Sequence, residues 1–506
     1  MKSVVLVQPS GGYWDRLQGT GLPLSTLQAS VLAAQEYDLV LFDARLHRDW
    51  RARLAKLLVE RQPMLVGTTV MLGPQLGEAM AINRMVKRLV PTARTAWGGT
   101  FPTIATELAM QAPDLDYLIV RDGEEALLGL ARWIDAEGAG PGAGRPDVPN
   151  VRWRDASGAL AGTFAAHPVD LEALPPLPYH LLELDAYARR FKGGGVVSLE
   201  TSRGCVLDCT YCYNQTMSRR RWRRKSAGRI RADLADLARH FPKANVFVMD
   251  DNFFVDLERA ASVGDELARA GRRWGTHGLT PIDVARFDAP YVAHLAETGC
   301  YELRVGLDNA AESNMARMNK RYDKAAVREA NRVLAAHDIL VQYALVFGFP
   351  GETDDDLREN LRFVLGMLDD NPRAALFMIA VLFPFPGTDV YERHTTPEWK
   401  AEWGLEQYAR FQVNHPGRPW LTAERWKLLS RISLASLFVS EKRLSFAPGW
   451  SLLLEIVRRS YAPIARRRLE RFSFGFAPEL ALANALLENA GRALWRLLRL
   501  GRAEAS

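Results

Sequence analysis

The sequence predicts an α/β protein: an N-terminal doubly wound, Rossmann-like domain, then a partial (β/α)6 barrel of the TIM type, and a helical C-terminal region. Over residues 1–135, short apolar segments alternate with segments of helical period, which is typical of a parallel sheet with helices on both faces. The same alternation of strand and helix patterns recurs over residues 194–390. It includes six strand candidates, fewer than the eight of a complete barrel. Residues 391–506 are rich in Trp, Arg and Leu and read as helical.

Length and composition limit the possible classes of protein. A chain of 506 residues is expected to form two or three domains, each with its own core. With 48 % hydrophobic and 25 % charged residues, the chain has the composition of a folded soluble protein. The net charge of +6 is a mild excess. It could favour an anionic substrate or a membrane surface, but it is too weak to predict a nucleic-acid partner.

Neither a targeting signal nor a disulfide framework is predicted. The N-terminus lacks the long apolar segment and the small-residue cleavage site of a signal peptide. No run approaches the roughly 18 apolar residues that cross a bilayer. Four cysteines in 506 residues are too few for a disulfide scaffold. We therefore expect a cytoplasmic protein, in which clustered cysteines are metal ligands or catalytic groups rather than disulfide partners.

The strand candidates justify the two sheet domains in turn. Those of the N-terminal domain are SVVLVQP, YDLVLFD, PMLVGTTV, ARTAWGG and LDYLIVRDG. A stretch rich in Gly, Pro and Ala, DAEGAGPGAGRPDVPN, follows them, and we assign residues 136–193 to a linker and extended segment. The barrel candidates are VVSLETS, NVFVMDD, RWGTHGL, YELRVGLD, LVQYALVFG and ALFMIAVLF.

Three of the four cysteines share one loop, GCVLDCTYCYNQ. Cys205, Cys209 and Cys212 follow the strand VVSLETS directly, so they lie at the carboxyl ends of the barrel strands, where such folds place their chemistry. Three thiolates can hold three irons of a [4Fe–4S] cluster and leave the fourth iron for a ligand from outside the protein. Cys300 starts a later strand and is predicted to be a core residue. The alternatives are a zinc knuckle or chance, but zinc takes four ligands and no histidine lies within ten residues of the triplet.

The C-x3-C-x2-C loop, with the aromatic Tyr211 just before its last cysteine, resembles that of the radical S-adenosylmethionine (SAM) superfamily. The resemblance extends over all six barrel strands. It implies that the three cysteines ligate a [4Fe–4S] cluster whose open iron binds the amino and carboxylate groups of SAM. It also implies that reduction of the cluster cleaves SAM to a 5′-deoxyadenosyl radical, which abstracts hydrogen from a substrate.

Further motifs of this resemblance imply SAM contacts. NVFVMDDNFF ends the second barrel strand with three polar residues, where family members hydrogen-bond the SAM ammonium. In RVGLDNAAE, an Asp and an Asn replace the Glu and Ser of the family, and a ribose or amino contact is implied there. VFGFPGETDDD resembles the stretch beside the adenine, and FPFPGTDVYE resembles the turn after the sixth strand. The implied SAM-binding residues are Tyr211, Asp250, Asp251, Asn252, Asp308 and Asn309.

The N-terminal domain resembles the cobalamin-binding domain of the cobalamin-dependent radical SAM enzymes. The matching stretches are PLSTLQASVLAAQEYDLVLFDARL, MLVGTTVM and WGGTFPTIATELAMQAPDLDYLIVRDGEEAL. Glycine lets the backbone approach a large planar ligand, and threonine hydroxyls at strand ends can bond its amides. The implied cobalamin-binding residues are Thr68, Thr69, Gly98, Gly99, Pro102 and Thr103.

No lower axial histidine is predicted for cobalamin. The D-x-H-x-x-G motif of other cobalamin proteins is absent, because Asp43 and His47 in FDARLHRD are four positions apart, the wrong spacing. Relatives of this class commonly lack that histidine too. The alternative is that the domain is vestigial, or serves only as a docking surface for the barrel.

The positions of the cysteines exclude two related classes of enzyme. No cysteine precedes position 205 and none follows position 300. The methylthiotransferases of the superfamily hold a second cluster with N-terminal cysteines, and peptide-modifying relatives often carry a cysteine-rich C-terminal extension. The sequence therefore predicts a single cluster.

Three charged regions remain. SRRRWRRK, residues 218–225, predicts a solvated face, with a basic rim that meets an anionic substrate as the alternative. The acidic residues of ETDDDLREN predict a helix N-terminus. We expect residues 391–450 to form a helical cap over the barrel. Residues 450–500 are either part of that cap or a basic amphipathic surface that lies on a membrane.

The leading hypothesis is a cobalamin-dependent radical SAM enzyme that methylates an unactivated carbon of a small-molecule or lipid-like substrate. The resemblance implies that one SAM methylates cobalt and a second supplies the radical, with an external electron donor of the flavodoxin or ferredoxin type. The alternatives are a cobalamin-dependent radical SAM oxidative cyclase or rearrangement enzyme, and a non-catalytic iron–sulfur protein. No catalytic acid or base is predicted. The expected location is cytoplasmic, with membrane association through the C-terminal helices left open.

Overall fold

The structure, a computed structural model, describes residues 2–11, 15, 21–137, 146–190, 195–411, 417–439 and 451–482. The middle of the predicted linker DAEGAGPGAGRPDVPN lies outside the described residues. Most of the predicted C-terminal segment ELALANALLENAGRALWRLLRL lies outside them too.

The chain divides into two compact units. The first consists of Met1–Leu279, Ala289–Leu303 and Pro384–Gln412. The second consists of Thr280–Asp288, Arg304–Phe383 and Val413–Ser506. The domain boundaries expected from the sequence stay predictions.

The strands form at the positions that the apolar segments predict. They are β1 (Ser3–Gln8), β2 (Asp38–Asp43), β3 (Leu65–Thr69), β4 (Arg94–Gly98), β5 (Tyr117–Ile119), β6 (Val151–Arg154), β7 (Leu160–Ala161), β8 (Val196–Leu199), β9 (Ser202–Arg203), β10 (Arg223–Arg224), β11 (Asn245–Val248), β12 (Trp274–Leu279), β13 (Cys300–Asp308), β14 (Leu340–Phe347) and β15 (Ala374–Val381). All eleven predicted strands are confirmed, and four short ones (β6, β7, β9 and β10) were not predicted.

Helices follow most of the strands. They are α1 (Leu24–Ser30), α2 (Trp50–Arg61), α3 (Pro74–Leu89), α4 (Thr100–Ile104), α5 (Thr106–Ala109), α6 (Glu124–Glu137), α7 (Leu184–Arg190), α8 (Asn214–Met217), α9 (Ala227–His240), α10 (Leu257–Arg269), α11 (Pro281–Val284), α12 (Ala289–Glu297), α13 (Glu312–Arg317), α14 (Lys324–Ala335), α15 (Asp354–Asp370), α16 (Asp389–His394), α17 (Pro397–Glu402), α18 (Leu405–Ala409), α19 (Ala423–Ser436) and α20 (Ser451–Arg471).

The N-terminal sheet has the strand order β2-β1-β3-β4-β5-β6-β7. Its first five strands are parallel, as predicted, while β6 and β7 add to the edge antiparallel. Residues 151–161, which the sequence assigns to the linker, therefore extend this sheet. The order reverses direction at β1, and a ligand of such a sheet binds at the carboxyl ends of the strands beside this point.

Alternate residues of β1 explain why helices cover both faces of this sheet. Val4 and Leu6 join a core cluster with the apolar face of α6. Val5 and Val7 join a second cluster with α2 and α3. A strand buried on both sides is a near-continuous apolar run, which is the pattern of the segment SVVLVQ.

The second sheet has six strands, in chain order β8-β11-β12-β13-β14-β15. The pairs β8–β11, β11–β12 and β14–β15 are parallel. Cys300, at the start of β13, is buried, which confirms its prediction as a core residue. The cysteine loop follows β8 and β9 at the carboxyl end of the first strand.

The C-terminal region is helical over its described residues, as predicted. The acidic segment ETDDD caps a helix, also as predicted: Thr353 and Asp356 form a capping box at the start of α15. Within the described part of the chain, we find no helix that is long and apolar enough to cross a membrane.

Candidate functional site

The cysteine loop runs from the end of β9 to the start of α8 in the first unit. Cys209 is buried, and Cys205 and Cys212 are half-buried. The Cys212 amide donates to the Cys209 carbonyl at 3.0 Å, which turns the chain between the last two cysteines. The Gln215 side chain donates to the same carbonyl at 3.0 Å. None of the three forms a disulfide, and three thiols on one ordered loop are the donor set that an iron–sulfur cluster requires.

Gly204 lets the chain enter this loop. It has φ +95°, and a Cβ atom at this position would lie 2.0 Å from the carbonyl oxygen of Arg221. Such a distance excludes any side chain here. The Gly204 amide donates to the Asp251 carboxylate at 2.7 Å. Glycine therefore fixes how the first cysteine approaches the end of β11.

Asp250, one of the predicted SAM-binding residues, is completely buried beside the loop. It accepts hydrogen bonds from the Thr201 amide at 2.7 Å, the Thr201 hydroxyl at 2.6 Å and the Ser202 hydroxyl at 2.6 Å. Burial raises the pKa of Asp250, while Arg259 and these hydrogen bonds act to lower it. Because both carboxylate oxygens are already bonded, the structure gives Asp250 the role of fixing the segment before the cysteines.

Asp251 and Asn252 lie closer to the cysteines. Asp251 also accepts from the Asn214 side chain at 3.1 Å. The Asn252 side-chain nitrogen is 3.9 Å from the Cys205 sulfur. Its oxygen is buried and bonds to no atom of the described residues. A buried acceptor without a partner is energetically costly unless a ligand supplies a donor. Among Asp250, Asp251 and Asn252, it is therefore Asn252 that best fits a contact with a ligand. Tyr211 lies half-buried within the loop, and the SAM contacts themselves stay predictions.

Asp308 and Asn309 belong to the second unit, where β13 ends. Asp308 has φ +60° and forms an ion pair with Lys320, whose ammonium also donates to the Gly306 carbonyl at 2.7 Å. The Asn309 side chain donates to the Val346 carbonyl at 3.1 Å and accepts from the Ala311 amide at 3.1 Å. Both side chains thus hold the turn after β13, and their predicted contact with SAM stays a prediction.

A cavity of about 280 Å³ in the first unit opens at the carboxyl ends of β1, β3, β4 and β5. Four of the six predicted cobalamin-binding residues line it: Thr68, Thr69, Gly98 and Gly99. Residues at or near the cysteine loop line it as well, namely Tyr213, Asn214, Met217, Ser218 and Asp251. The same cavity therefore has walls from the predicted cobalamin motifs and from the predicted cluster loop.

Two features of the cavity wall suit a ligand with amide groups. The Thr68 hydroxyl is buried at this wall and has no hydrogen-bond partner among the described residues. Gly99 has φ +96°, and a Cβ atom there would lie 2.9 Å from the Thr69 hydroxyl and 3.2 Å from the Val70 amide. The glycine thus keeps the ends of β3 and β4 close together, and the unpaired hydroxyl is a ready partner for a ligand amide. These residues fit cobalamin.

Pro102 and Thr103 do not line this cavity, whereas Thr100 does. The Thr103 hydroxyl donates to the Gly99 carbonyl at 2.9 Å and accepts from the Arg121 amide at 2.9 Å. Thr103 therefore shapes the glycine turn from behind rather than facing the cavity. His47, excluded as an axial ligand by its spacing, is hydrogen-bonded to Glu183 at 2.9 Å.

An ionic network that the sequence did not predict joins the cluster loop to the N-terminal sheet. Arg203, two residues before Cys205, donates to Asp122 at 2.8 Å, to Glu124 at 2.9 Å and to Glu200 at 2.9 Å. Burial opposes the charged form of Asp122, but Arg203 and Arg223 outweigh it and hold its pKa below the ordinary value. The only signal in the sequence was the run of charge in RDGEE, directly after a buried strand.

The basic run SRRRWRRK only partly forms the solvated face that was predicted. Residues 219–221 are exposed. In contrast, Arg223 is largely buried and bonds to Asp122 at 3.0 Å, and Lys225 is buried and bonds to Asp233 at 2.8 Å. The prediction of a solvated face is wrong for these two residues, because each one neutralises a buried carboxylate.

Two family models match the chain. The radical SAM superfamily model matches residues 199–364, and the B12-binding domain model matches residues 22–131. The first covers the cysteine loop, and the second covers the glycine and threonine residues of the cavity wall.

Several curated relatives are similar to the chain at low identity. An uncharacterized methyltransferase from Pyrococcus horikoshii is 22 % identical over 405 residues, covering 78 % of this chain and 83 % of the relative. An anaerobic magnesium-protoporphyrin IX monomethyl ester cyclase from Cereibacter sphaeroides is 21 % identical, covering 67 % of this chain and 54 % of the relative. A hopanoid C-3 methylase from Methylococcus capsulatus is 24 % identical, covering 60 % and 56 %.

Two solved structures share the fold. OxsB, a cobalamin-dependent SAM radical enzyme with aqua-cobalamin bound, has a TM-score of 0.72 at 16 % identity, covering 97 % of this chain and 76 % of OxsB. TsrM from Kitasatospora setae, a radical SAM methyltransferase with cobalamin and a [4Fe–4S] cluster bound, has a TM-score of 0.63 at 20 % identity, covering 78 % of this chain and 80 % of TsrM.

Proposed function

We propose that this chain, which belongs to the cobalamin-dependent radical SAM enzymes, methylates an unactivated carbon of a small-molecule or lipid-like substrate. The observation that carries the proposal is the cavity of the first unit, whose walls come both from residues within the match to the B12-binding domain and from the cysteine loop. A methyl donor and a radical source must act on one substrate, so their sites have to share one space.

The chain's own residues have defined parts in this proposal. SAM, the cluster and cobalamin together supply the radical and the methyl group. Cys205, Cys209 and Cys212 hold the cluster, and Asn252 offers its unpaired buried oxygen to a ligand beside Cys205. Thr68 bonds a cobalamin amide, and Gly98 and Gly99 let the corrin approach the backbone. Arg203 bonds to Asp122 and Glu124 and so connects the cysteine loop to the segment after β5.

Anaerobic turnover tests the proposal. The protein is reconstituted with iron, sulfide and hydroxocobalamin, then incubated with SAM and a strong reductant. We expect both 5′-deoxyadenosine and S-adenosylhomocysteine. The variant with Cys205→Ala, Cys209→Ala and Cys212→Ala should form no 5′-deoxyadenosine, while Cys300→Ala, a buried cysteine outside the loop, should retain activity. A wild-type protein that holds a full cluster yet cleaves no SAM would overturn the enzymatic proposal and favour a non-catalytic iron–sulfur protein.

An oxidative cyclase or rearrangement enzyme is the second candidate, because the relative from Cereibacter sphaeroides is a cyclase. Isotope labelling separates the two. With SAM that carries a deuterated methyl group, a methyltransferase releases S-adenosylhomocysteine and leaves label on its product. A cyclase forms 5′-deoxyadenosine and leaves no label in the product.

The remaining partners follow from this chemistry and stay proposals. Cluster reduction needs an external electron donor of the flavodoxin or ferredoxin type, as in a cytoplasmic enzyme. A lipid-like substrate would suit peripheral membrane contact through the C-terminal helices, where Ile456 and Ile464 of α20 and the following Phe476 are exposed. Flotation with anionic lipid vesicles, wild type against the variant with both isoleucines changed to serine, tests that contact. Equal flotation would exclude a role for these residues.

A further inference from the structure

Three arginines surround one exposed phenylalanine in the first unit. The guanidinium carbons of Arg121, Arg152 and Arg219 lie 4.0, 4.9 and 5.7 Å from the centre of the Phe164 ring. They come from three separate segments: the loop after β5, strand β6, and the loop after α8. Phe164 itself is 44 % exposed. Segments that are distant in the sequence therefore bring three guanidinium groups to the ring of one phenylalanine. We call Arg121, Arg152 and Arg219 the arginine cluster.

The arginine cluster has no ion-pair partner within the described residues, although the charge of Asp122 acts favourably on Arg121 from beyond ion-pair distance. None of its three guanidinium groups forms an ion pair there. Its nearest acidic neighbour in sequence, Asp122, is already bonded by Arg203 and Arg223. Burial and then the charge of Arg219 lower the pKa of Arg121. The three cations thus have no carboxylate of their own among the described residues.

Neighbouring arginines show that this is not a general property of the region. Arg220 pairs with Asp208, Arg223 with Asp122, and Arg224 with Asp256. Arg121, Arg152 and Arg219, which converge on Phe164, have no such ion pair within the described residues, and neither has the exposed Arg221 nearby. In addition, the Nε atoms of Arg121 and Arg152 are buried and bond to no described acceptor. A bound anion would accept hydrogen bonds from guanidinium donors here and would pair with their positive charge.

The arginine cluster borders the cavity. Arg121 belongs to the arginine cluster and also lines the cavity. Its backbone has φ +61°, and its amide donates a hydrogen bond to the Thr103 hydroxyl at 2.9 Å. Ser218, the residue before Arg219, also lines the cavity. A ligand seated in the cavity can therefore extend an anionic group to the arginine cluster.

We propose that Arg121, Arg152 and Arg219 bind a phosphate group of a ligand that occupies this cavity. Planar guanidinium groups match phosphate oxygens through paired hydrogen bonds, and several of them can surround one phosphate. Two sources carry this chemistry: a phosphorylated substrate, or the phosphodiester in the nucleotide tail of cobalamin. The binding site does not depend on methyl transfer, and only the second source rests on the proposed function.

Binding measurements on the full chain test the site. The test variant is Arg152→Gln with Arg219→Gln, which leaves the cavity-lining Arg121 in place. The matched control is Arg84→Gln with Arg88→Gln, two exposed arginines of α3 that change the net charge equally. Circular dichroism and thermal unfolding establish that each variant folds. If the double variant does not fold, the single variant Arg219→Gln, at an exposed position, replaces it in the measurements.

Two titrations separate the sources. The first is calorimetry of cobalamin-free protein with pyrophosphate. The second is a spectroscopic titration with dicyanocobalamin and with dicyanocobinamide, which lacks the phosphodiester. A pyrophosphate affinity at least tenfold weaker in the test variant than in the control supports a phosphorylated substrate. An at least tenfold loss of the preference for dicyanocobalamin over dicyanocobinamide supports the cobalamin tail. If the test variant matches the control in both titrations, the site does not exist.

Discussion

Arg203 and Asp122 form an ion pair, with 2.8 Å between Nη1 and Oδ1, that connects the segment before the three clustered cysteines to the end of strand β5. The two residues are 81 positions apart in the chain. Arg203 also bonds to Glu124 and Glu200, so one guanidinium group pairs with three largely buried carboxylates, and Arg223 adds a second positive charge at Asp122. Removal of one partner of a buried ion pair leaves charge without compensation, which costs far more than the pair contributes by itself.

We therefore expect Arg203→Met to lower the free energy of unfolding by about 3–5 kcal/mol. Arg203→Lys should cost less, because the charge remains while the paired hydrogen bonds are lost. Urea denaturation measures both. The matched control is Arg53→Met, which breaks an exposed ion pair with Asp49 and should cost about 1 kcal/mol or less. Equal effects at Arg203 and Arg53 would show that the network contributes no more than a surface pair.

Gly204 offers a test of the cluster loop. Gly204→Ala places a methyl group 2.0 Å from the Arg221 carbonyl, so the loop must move and the first cysteine with it. We expect the reconstituted variant to lose most of its iron and its absorbance near 400 nm. Gly158→Ala is the control, because Gly158 also has a positive φ (+82°) but has nothing within 4 Å of its Cβ position. A Gly204→Ala protein with the iron content of Gly158→Ala would contradict this account of the loop.

The fold could largely be predicted because its signals are local. Buried parallel strands are short apolar runs, and the cysteine spacing lies within one loop, so neighbouring residues alone reveal both. Strands β6 and β7 were missed because they are short edge strands with polar and half-buried residues. Strand β6 is positioned by pairing with β5, far from it in the chain, and β7 then pairs with β6.

The ionic contacts could not be predicted for a different reason. A charged residue in a sequence has many possible partners, and only folding decides which one it meets. Arg223 looked like part of a solvated run, yet it bonds to Asp122, 101 positions away. Asp250 is in the predicted place, but Thr201 and Ser202 already use both of its oxygens. The sequence therefore predicted which residues lie near the cysteine loop, but not the hydrogen bonds that each of them forms there.

Thr68 tests the cavity as the cobalamin site. We expect Thr68→Val to weaken cobalamin binding about five- to tenfold, the effect of one lost hydrogen bond of about 1 kcal/mol. Spectroscopic titration with hydroxocobalamin measures the affinity. Thr68→Ser keeps the hydroxyl and is the matched control. The cobalamin-free Val variant should be as stable as wild type, since the hydroxyl it removes is buried without a partner among the described residues. Unchanged affinity in Thr68→Val would place cobalamin elsewhere.

Glu352, in the second unit, sets the pH dependence of stability there. Burial raises its pKa to about 7, although the Gly348 amide at 2.7 Å, Arg425 and Asn314 all favour the charged form. The folded pKa lies above the unfolded value near 4.5, so the folded protein binds the proton more tightly. The stability from this group is complete below pH 4.5 and is lost as the pH rises through about 7. At roughly 1.4 kcal/mol per unit of pKa difference, the loss is about 3.5 kcal/mol.

Glu352→Gln should remove this loss, because the amide stays neutral and its oxygen can still accept from Gly348 or Asn314. We expect the midpoint of urea denaturation of wild type to fall between pH 4.5 and 7.5 more steeply than that of the Gln variant. Glu329→Gln, the same substitution at an exposed position of α14, should follow wild type across the range. Parallel curves for wild type and Glu352→Gln would show that the pKa of Glu352 is the same in the folded and the unfolded protein, and that Arg425 and the hydrogen bonds offset its burial.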